Sequence, residues 1–139
     1  MKPERLESRI LRRIEHKRGD AFVRADFEDL DGYDQVGRAL RKIVREGRLV
    51  RVGRGLYARA RPSITSGEPV PARGLTTLTE ALGRVGIETV PTRLEQAYNA
   101  GETTQVPTGR VVGVTRRVRR KVGYGGISLS FERAGPAPR

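Results

Sequence analysis

Residues 33–54 contain several cationic side chains and one glutamine amide, which are groups that can form specific hydrogen bonds with a ligand. A guanidinium can bind phosphate or a guanine edge through two parallel hydrogen bonds, and a glutamine amide can bind adenine in the same way. We expect Gln35 and Arg38 to read base edges, because the start of a DNA-binding helix enters the major groove most deeply. The residues expected mainly to hold phosphates are Tyr33, Arg41, Lys42, Arg51 and Arg54. For Arg54, an alternative is to probe the minor groove.

A helix and a hairpin must position these side chains. Apolar residues in 33–46 recur at helical spacing on one face, at Val36, Ala39, Leu40, Ile43 and Val44. Gly47 stands where the end of a helix commonly needs a left-handed backbone. Residues 48–52 and 56–59 have the pattern of two strands around the Gly-Arg-Gly sequence at 53–55. The sequence therefore predicts an amphipathic helix over residues 33–46, followed by a tight basic hairpin.

Two helical segments and a short strand precede this pair. The predicted first helix spans residues 3–17, a short strand follows at 21–23, and a short helix follows at 26–30. This order of elements is that of a winged helix-turn-helix. We therefore expect residues 1–61 to form a DNA-binding domain of that kind, with the short strand pairing with the hairpin.

The rest of the chain is predicted to contain a second, smaller domain. Residues 62–74 are rich in Pro, Gly and Ser without periodicity, which predicts a linker. Residues 75–133 are predicted to form a small α+β domain, and residues 134–139 a flexible tail. The expected fold class is α+β, with the winged helix-turn-helix followed by a small α/β region of short helices and antiparallel strands.

The elements of this second part follow from capping and strand signals. Capping boxes at Thr77 and Thr92 predict the starts of two short helices. The candidate strands are residues 111–114, a stretch near 118–122, and residues 127–131.

A basic strip at residues 116–121 is the second strong feature of the chain. If this strip is extended, Arg117, Arg119 and Lys121 share one face and form a basic row. The row could bind phosphates or an acidic protein surface. Alternatively, it could belong to an edge strand whose charges prevent association between sheets.

The composition excludes several kinds of chemistry. The chain of 139 residues has no Cys and one His, His16, so a His-based triad, a thiolate metal site and a multi-His metal site are excluded. No phosphate-binding loop is present, and the acidic residues between 26 and 34 are better explained as caps of a short helix than as a metal site. We expect no enzymatic activity, no cofactor and no metal.

The charge of the chain points to an anionic partner. The formal net charge is +12, and both parts contribute: residues 1–61 hold 17 Lys and Arg against 10 Asp and Glu, and residues 62–139 hold 11 against 6. Nucleic acid or an acidic protein fits this charge better than a membrane does, because no apolar run approaches a transmembrane span. The amino-terminal residues lack the apolar core of a secretory signal, so we expect a cytoplasmic protein.

Two segments resemble the AbiEi-like antitoxins of type IV toxin–antitoxin systems. The first is VGRALRKIVREGRLVRVGRGLYAR at 36–59, and the second is PTRLEQAYNAGETTQVP at 91–107. The resemblance implies a bacterial or archaeal regulator that binds double-stranded DNA at its own promoter. It also implies that the protein opposes a nucleotidyltransferase-type toxin without forming a stable complex with it.

The function expected from the sequence is that of a DNA-binding autoregulator that acts as an antitoxin. Two alternatives stay open at this point. The protein could be an RNA-binding module that uses the basic strip at 116–121, or a stand-alone winged-helix regulator.

Overall fold

A computed structural model describes residues 5–135 of the chain. These residues form an α+β fold with four α-helices and nine short strands. The helices are α1 Leu6–His16, α2 Tyr33–Arg45, α3 Leu75–Arg84 and α4 Arg93–Asn99, and a 3-10 turn spans Arg24–Phe27. The strands are β1 Ala21–Val23, β2 Leu49–Gly53, β3 Leu56–Pro62, β4 Pro69–Pro71, β5 Thr89–Val90, β6 Val111–Val114, β7 Gly123–Tyr124, β8 Ile127–Ser128 and β9 Ser130–Arg133.

The first sheet is built around β3, which pairs antiparallel with β1, β2 and β4. Phe22 of β1 lies opposite Tyr57 of β3, so the predicted pairing of the short strand with the hairpin is confirmed. Because side chains alternate along a strand, Tyr57 faces one side of this sheet while Leu56 and Ala58 face the other. Both sides are covered.

Helices α1 and α2 cover the side of the sheet that carries Tyr57. Their apolar stripes and the 3-10 turn form one buried cluster with this face of the sheet. The buried residues of this cluster are Ile10, Ile14, Phe22, Phe27, Val36, Ala39, Leu40, Ile43, Leu49 and Tyr57. Burying one large aliphatic side chain stabilises the fold by roughly 1.5–3 kcal/mol, so the cluster fixes α2 against the sheet.

The second part of the chain covers the opposite side of the same sheet. The buried residues of this cluster are Ala21, Val52, Leu56, Ala58, Leu78, Ala81, Leu82, Val112, Val114, Val122 and Leu129. Polar contacts join the same parts: Arg73 donates a 2.6 Å hydrogen bond to Asp20, and Arg84 pairs with Asp26. The two predicted domains thus share a core, and the independent folding of residues 1–61 stays a prediction.

The amino-terminal predictions need local corrections. The predicted helix over 26–30 is wrong: the 3-10 turn Arg24–Phe27 takes its place, held where Val23 N–H donates to the Asp26 carboxylate at 3.0 Å. The predicted first helix begins at Leu6 in the described chain, and residues 3 and 4 lie outside the described residues.

The carboxyl-terminal predictions also need corrections. The predicted strand at 118–122 does not form. Side chains alternate along a strand, so a strand here would place Arg120 on the same face as the half-buried Val118 and the buried Val122. The segment 62–74 contains β4, which ties it to the first sheet. Residues 136–139 of the predicted tail lie outside the described residues.

The remaining strands form two small sheets. β6 pairs antiparallel with β5 and parallel with β9, although the sequence predicted antiparallel strands. The parallel pair arises because residues 115–129 cross over between β6 and β9. β7 and β8 form a hairpin within this crossover. The predicted strand 127–131 is divided at Leu129, whose N–H donates to the Val122 carbonyl at 2.9 Å.

Candidate nucleic-acid interface

Helix α2 buries one face and exposes a basic one. Val36, Leu40 and Ile43 are fully buried, and the exposed residues on the other side are Gln35, Arg38, Arg41 and Arg45. The helix ends where Gly47 adopts a φ of 78°. Arg48 N–H then donates to the Ile43 carbonyl at 3.1 Å, which turns the chain directly into β2.

The β2–β3 hairpin holds two arginines beside α2. Gly55 has a φ of 68°, which lets the chain reverse and leaves Arg54 exposed at the tip. Arg51 lies opposite Tyr57, so its exposed side chain rises from the side of the sheet that α2 covers.

Two adjoining grooves run between α2 and this hairpin. The first groove has a volume of about 440 Å³, and its lining includes Tyr33, Arg41, Arg51 and Arg54. The second groove, of about 550 Å³, is lined by Arg38, Arg41, Val44, Arg45, Arg51 and Tyr57. The structure therefore brings together five of the seven residues that the sequence assigned to DNA contact.

The other two predicted residues lie elsewhere. Gln35 is exposed on the first turn of α2 but lines neither groove. Lys42 points towards α1, where its Nζ lies 3.6 Å from Oε1 of Glu7. The structure thus places Lys42 away from the grooves.

Arg24 is a groove residue that the sequence reasoning missed. Its guanidinium carbon lies 4.3 Å from the centre of the Tyr33 ring, as in a cation–π contact. Its Nε is buried and has no hydrogen-bond partner among the described residues. A Cβ at Gly37 would lie 2.9 Å from Arg24 Nη2. Gly37 was the sequence signal for this contact. Glycine inside a helix costs about 1 kcal/mol relative to alanine, so its presence in α2 indicates that another group lies close to the backbone there.

The cations of the protein divide into two sets. In the part of the chain that the structure describes, no carboxylate lies within ion-pair distance of the five arginines Arg38, Arg41, Arg45, Arg51 and Arg54. Within residues 5–135, Glu28 is the one acidic residue that lines either groove. The grooves therefore present nearly unopposed positive charge.

The second set of cations holds the fold together. Arg59 donates hydrogen bonds to Asp20 and to the carbonyls of Ile14 and Gly19, so it closes the end of α1. Arg13 pairs with Asp29, and this hydrogen bond lowers the pKa of the Asp29 carboxyl. Two of the acidic residues between 26 and 34, Asp26 and Asp29, thus form ion pairs with cations of the fold.

The basic strip at 116–121 lies against the hairpin. Arg117, Arg119 and Lys121 are exposed, but the strip has no regular secondary structure, so the strand that would align them in one row is absent. Arg120 Nη1 donates a 2.7 Å hydrogen bond to the Arg54 carbonyl at the hairpin tip. The strip and the hairpin therefore form adjacent parts of one surface.

A family comparison covers nearly the same span as the structure. Residues 9–138 match the model of a family of unknown function, DUF6088. The chain belongs to the DUF6088 family. No curated protein and no solved structure matches it.

The surface of this DUF6088 protein is basic around the two grooves. Its grooves offer guanidinium groups, which donate paired hydrogen bonds to phosphate oxygens. Across residues 5–135, no cluster of three or more acidic, histidine or cysteine side chains could hold a metal ion. Every helix in the same range is too short or too polar to cross a lipid bilayer.

Proposed function

We propose that this DUF6088 protein is a non-enzymatic DNA-binding protein whose α2 enters the major groove of a duplex. The β2–β3 hairpin then lies on the neighbouring backbone, and residues 1–61 act as a winged helix-turn-helix. The observation that carries this proposal is the pair of grooves between α2 and the hairpin, where five arginines of α2 and the hairpin have no carboxylate partner among the described residues.

The order of the elements supports the same proposal. α1, the 3-10 turn and α2 precede a two-stranded hairpin, and β1 adds a third strand to it. In a helix-turn-helix protein, side chains near the start of the second helix contact base edges. Arg38 and Gln35 occupy that position on the exposed face of α2, and Arg41, Arg51 and Arg54 are available to phosphates.

The biological role that we propose is autoregulation by an antitoxin. It is supported by the resemblance of residues 36–59 and 91–107 to the AbiEi-like antitoxins. In this role the protein binds its own promoter in the cytoplasm and opposes a nucleotidyltransferase-type toxin without a stable complex. Co-expression of this protein with a nucleotidyltransferase toxin encoded beside it should restore the growth of cells that the toxin inhibits. If growth is not restored, the antitoxin role is wrong and the alternative of a stand-alone regulator is favoured.

Selection from a pool of random duplexes tests the assignment of base contacts. We expect the wild type to enrich one sequence, and Arg38→Ala to lose about 1–3 kcal/mol on that sequence and to relax one base position. Arg93→Ala is the matched control, because Arg93 is exposed on α4 and lines neither groove. Equal enrichment by wild type and Arg38→Ala would remove Arg38 from the base-reading face.

A competition experiment separates DNA from RNA. Duplex DNA should displace a labelled duplex far better than single-stranded RNA of the same length. Preferential displacement by RNA, lost when the basic strip is neutralised, would instead support the RNA-binding alternative.

A further inference from the structure

The basic strip is fixed to the hairpin tip by contacts that the structure shows in detail. The guanidinium of Arg120 donates to the Arg54 carbonyl at 2.7 Å. A Cβ at Gly53 would lie 3.0 Å from the Lys121 carbonyl oxygen. The absence of a side chain at Gly53 therefore permits the close approach of the strip, and a larger residue there would push the two segments apart.

A third groove lies on the side of the hairpin that faces the strip. Its volume is about 380 Å³, and its lining includes Arg51 and Arg54 from the hairpin, Lys121 from the strip and Tyr124 from β7. No acidic residue of the described chain lines it. Arg51 and Arg54 also line the first groove beside α2, so the hairpin is a ridge with basic grooves on both sides.

The outer cations of the strip have no partner within the described protein. Arg116, Arg117, Arg119 and Lys121 are exposed, and no described carboxylate pairs with them. The contacts of Arg120 and Lys121 with the hairpin therefore place these exposed cations next to those of the hairpin tip.

We infer that the basic strip binds the phosphate backbone of the same duplex that occupies α2, on the far side of the hairpin. The inference rests on the proposed function, since it needs a duplex seated against α2. A duplex fits this surface better than a separate partner, because Arg54 at the hairpin tip lines both grooves and could not serve two partners at once. Arg120 is a positioning residue that holds the hairpin tip against the strip.

The salt dependence of binding tests this inference. The probe is a mixed-sequence DNA duplex of about 30 bp, since phosphate contacts do not depend on sequence. Each phosphate contact adds about 0.9 to the slope of log K against log salt, so the variant Arg117→Ala/Arg119→Ala/Lys121→Ala should lose a slope of up to about 2.7. On the sequence that the wild type enriches, hydroxyl-radical footprints should also shorten at one end.

A control variant must remove the same charge elsewhere. Arg18→Ala/Arg93→Ala/Arg110→Ala does so, because these three arginines are exposed and line none of the three grooves. We expect this variant to keep the wild-type slope and footprint. Thermal melts of both variants should match the wild type, since only exposed side chains are truncated.

The failure of this inference can be told apart from the failure of the proposed function. If the strip variant keeps the wild-type slope and footprint while Arg38→Ala/Arg41→Ala/Arg51→Ala loses slope, the strip does not contact the duplex and the inference is overturned. If neither variant loses slope, the proposed function itself is overturned. A loss of slope equal to that of the control variant also overturns the inference, because it reflects net charge alone.

Discussion

Arg38 and Arg59 illustrate two uses of arginine in this protein. Arg38 is exposed beside the second groove and has no ion-pair partner among residues 5–135, whereas Arg59 donates to four acceptors around the end of α1. Composition alone cannot separate these uses, because both residues lie in the same basic stretch of sequence. The structure assigns Arg59 to the fold.

Gly37→Ala should separate the stability of α2 from its affinity for DNA. Alanine in a helix is favoured over glycine by roughly 0.5–1 kcal/mol, and the atom that it would meet is the flexible end of Arg24. We expect unchanged or slightly raised stability, but weaker DNA binding, because the guanidinium of Arg24 must leave its place in the first groove. Melting curves and DNA titrations measure the two effects.

The matched control for that variant is Gly83→Ala. Gly83 lies in α3, and nothing lies within 4 Å of a Cβ built there. It should raise stability by a similar amount and leave DNA affinity unchanged. If Gly37→Ala binds DNA as tightly as Gly83→Ala does, Arg24 is not part of the interface.

The Arg13–Asp29 pair should contribute to stability in a pH-dependent way. The hydrogen bond from Arg13 lowers the pKa of Asp29 in the folded protein. A lowered carboxyl pKa stabilises the folded state above the ordinary pKa of Asp, and the contribution is lost as the pH falls through the folded-state pKa. The melting temperature of Asp29→Asn should therefore be slightly below that of the wild type at neutral pH. The two melting temperatures should become equal in acid. A difference that persists in acid would contradict this account.

At the scale of elements, the first sheet connects the two parts of the chain because each of its faces carries a core. Leu78 of α3 is fully buried against the face that carries Leu56 and Ala58. Leu78→Ala should cost about 2–5 kcal/mol of the free energy of unfolding, as large-to-small changes in a packed core do. Chemical denaturation should show one transition that shifts as a whole. A second, unshifted transition would indicate that residues 1–61 unfold separately.

A fragment of residues 1–61 tests the predicted domain boundary. It keeps the cluster between the sheet and the helices α1 and α2, so we expect a cooperative melt. The same fragment exposes Ala21, Val52, Leu56 and Ala58, so its melting temperature should be lower than that of the full chain. It should also bind a dye specific for exposed apolar surface. Absence of a cooperative melt would contradict independent folding.

The elements that could be predicted from sequence are those specified by local signals. The stripe Val36 to Val44 and the stop at Gly47 predicted α2, and the glycines at 53 and 55 predicted the hairpin, because both signals act within a few residues. The capping box at Thr92 likewise predicted the start of α4. The placement of α3 on the first sheet, the parallel pair of β6 and β9 and the course of the basic strip could not be predicted. They depend on contacts between residues that are distant in sequence.

At the scale of the whole molecule, the cations fall into one set that forms ion pairs within the fold and another set that does not. Ion pairs of Asp20 with Arg73 and of Asp26 with Arg84 join the two parts of the chain, and those of Asp20 with Arg59 and of Asp26 with Lys17 lie within the first part. The groove arginines of α2 and the hairpin tip, and the exposed cations of the basic strip, are left without carboxylate partners in the described range: Arg38, Arg41, Arg45, Arg51, Arg54, Arg116, Arg117, Arg119 and Lys121. This separation is what a protein needs if it is to be stable by itself and strongly attracted to a polyanion.

The removal of the ion pairs of Asp20 should lower the stability of the fold and leave DNA binding by the grooves unchanged. Asp20→Asn weakens the contacts to Arg59 and Arg73, which lie away from the grooves. We expect a lower melting temperature and an unchanged slope of log K against log salt for DNA. An altered slope would show that the two sets of charges are not separate.

The salt dependence of duplex binding by a groove variant tests the central claim most directly. Three arginines of α2 and the hairpin are removed in Arg38→Ala/Arg41→Ala/Arg51→Ala, and three arginines outside the grooves are removed in Arg18→Ala/Arg93→Ala/Arg110→Ala. With each phosphate contact contributing about 0.9 to the slope of log K against log salt, the groove variant should lose a slope of roughly 1.8–2.7 and the control should lose almost none. Equal slopes for the wild type and both variants would contradict DNA binding through α2 and the hairpin.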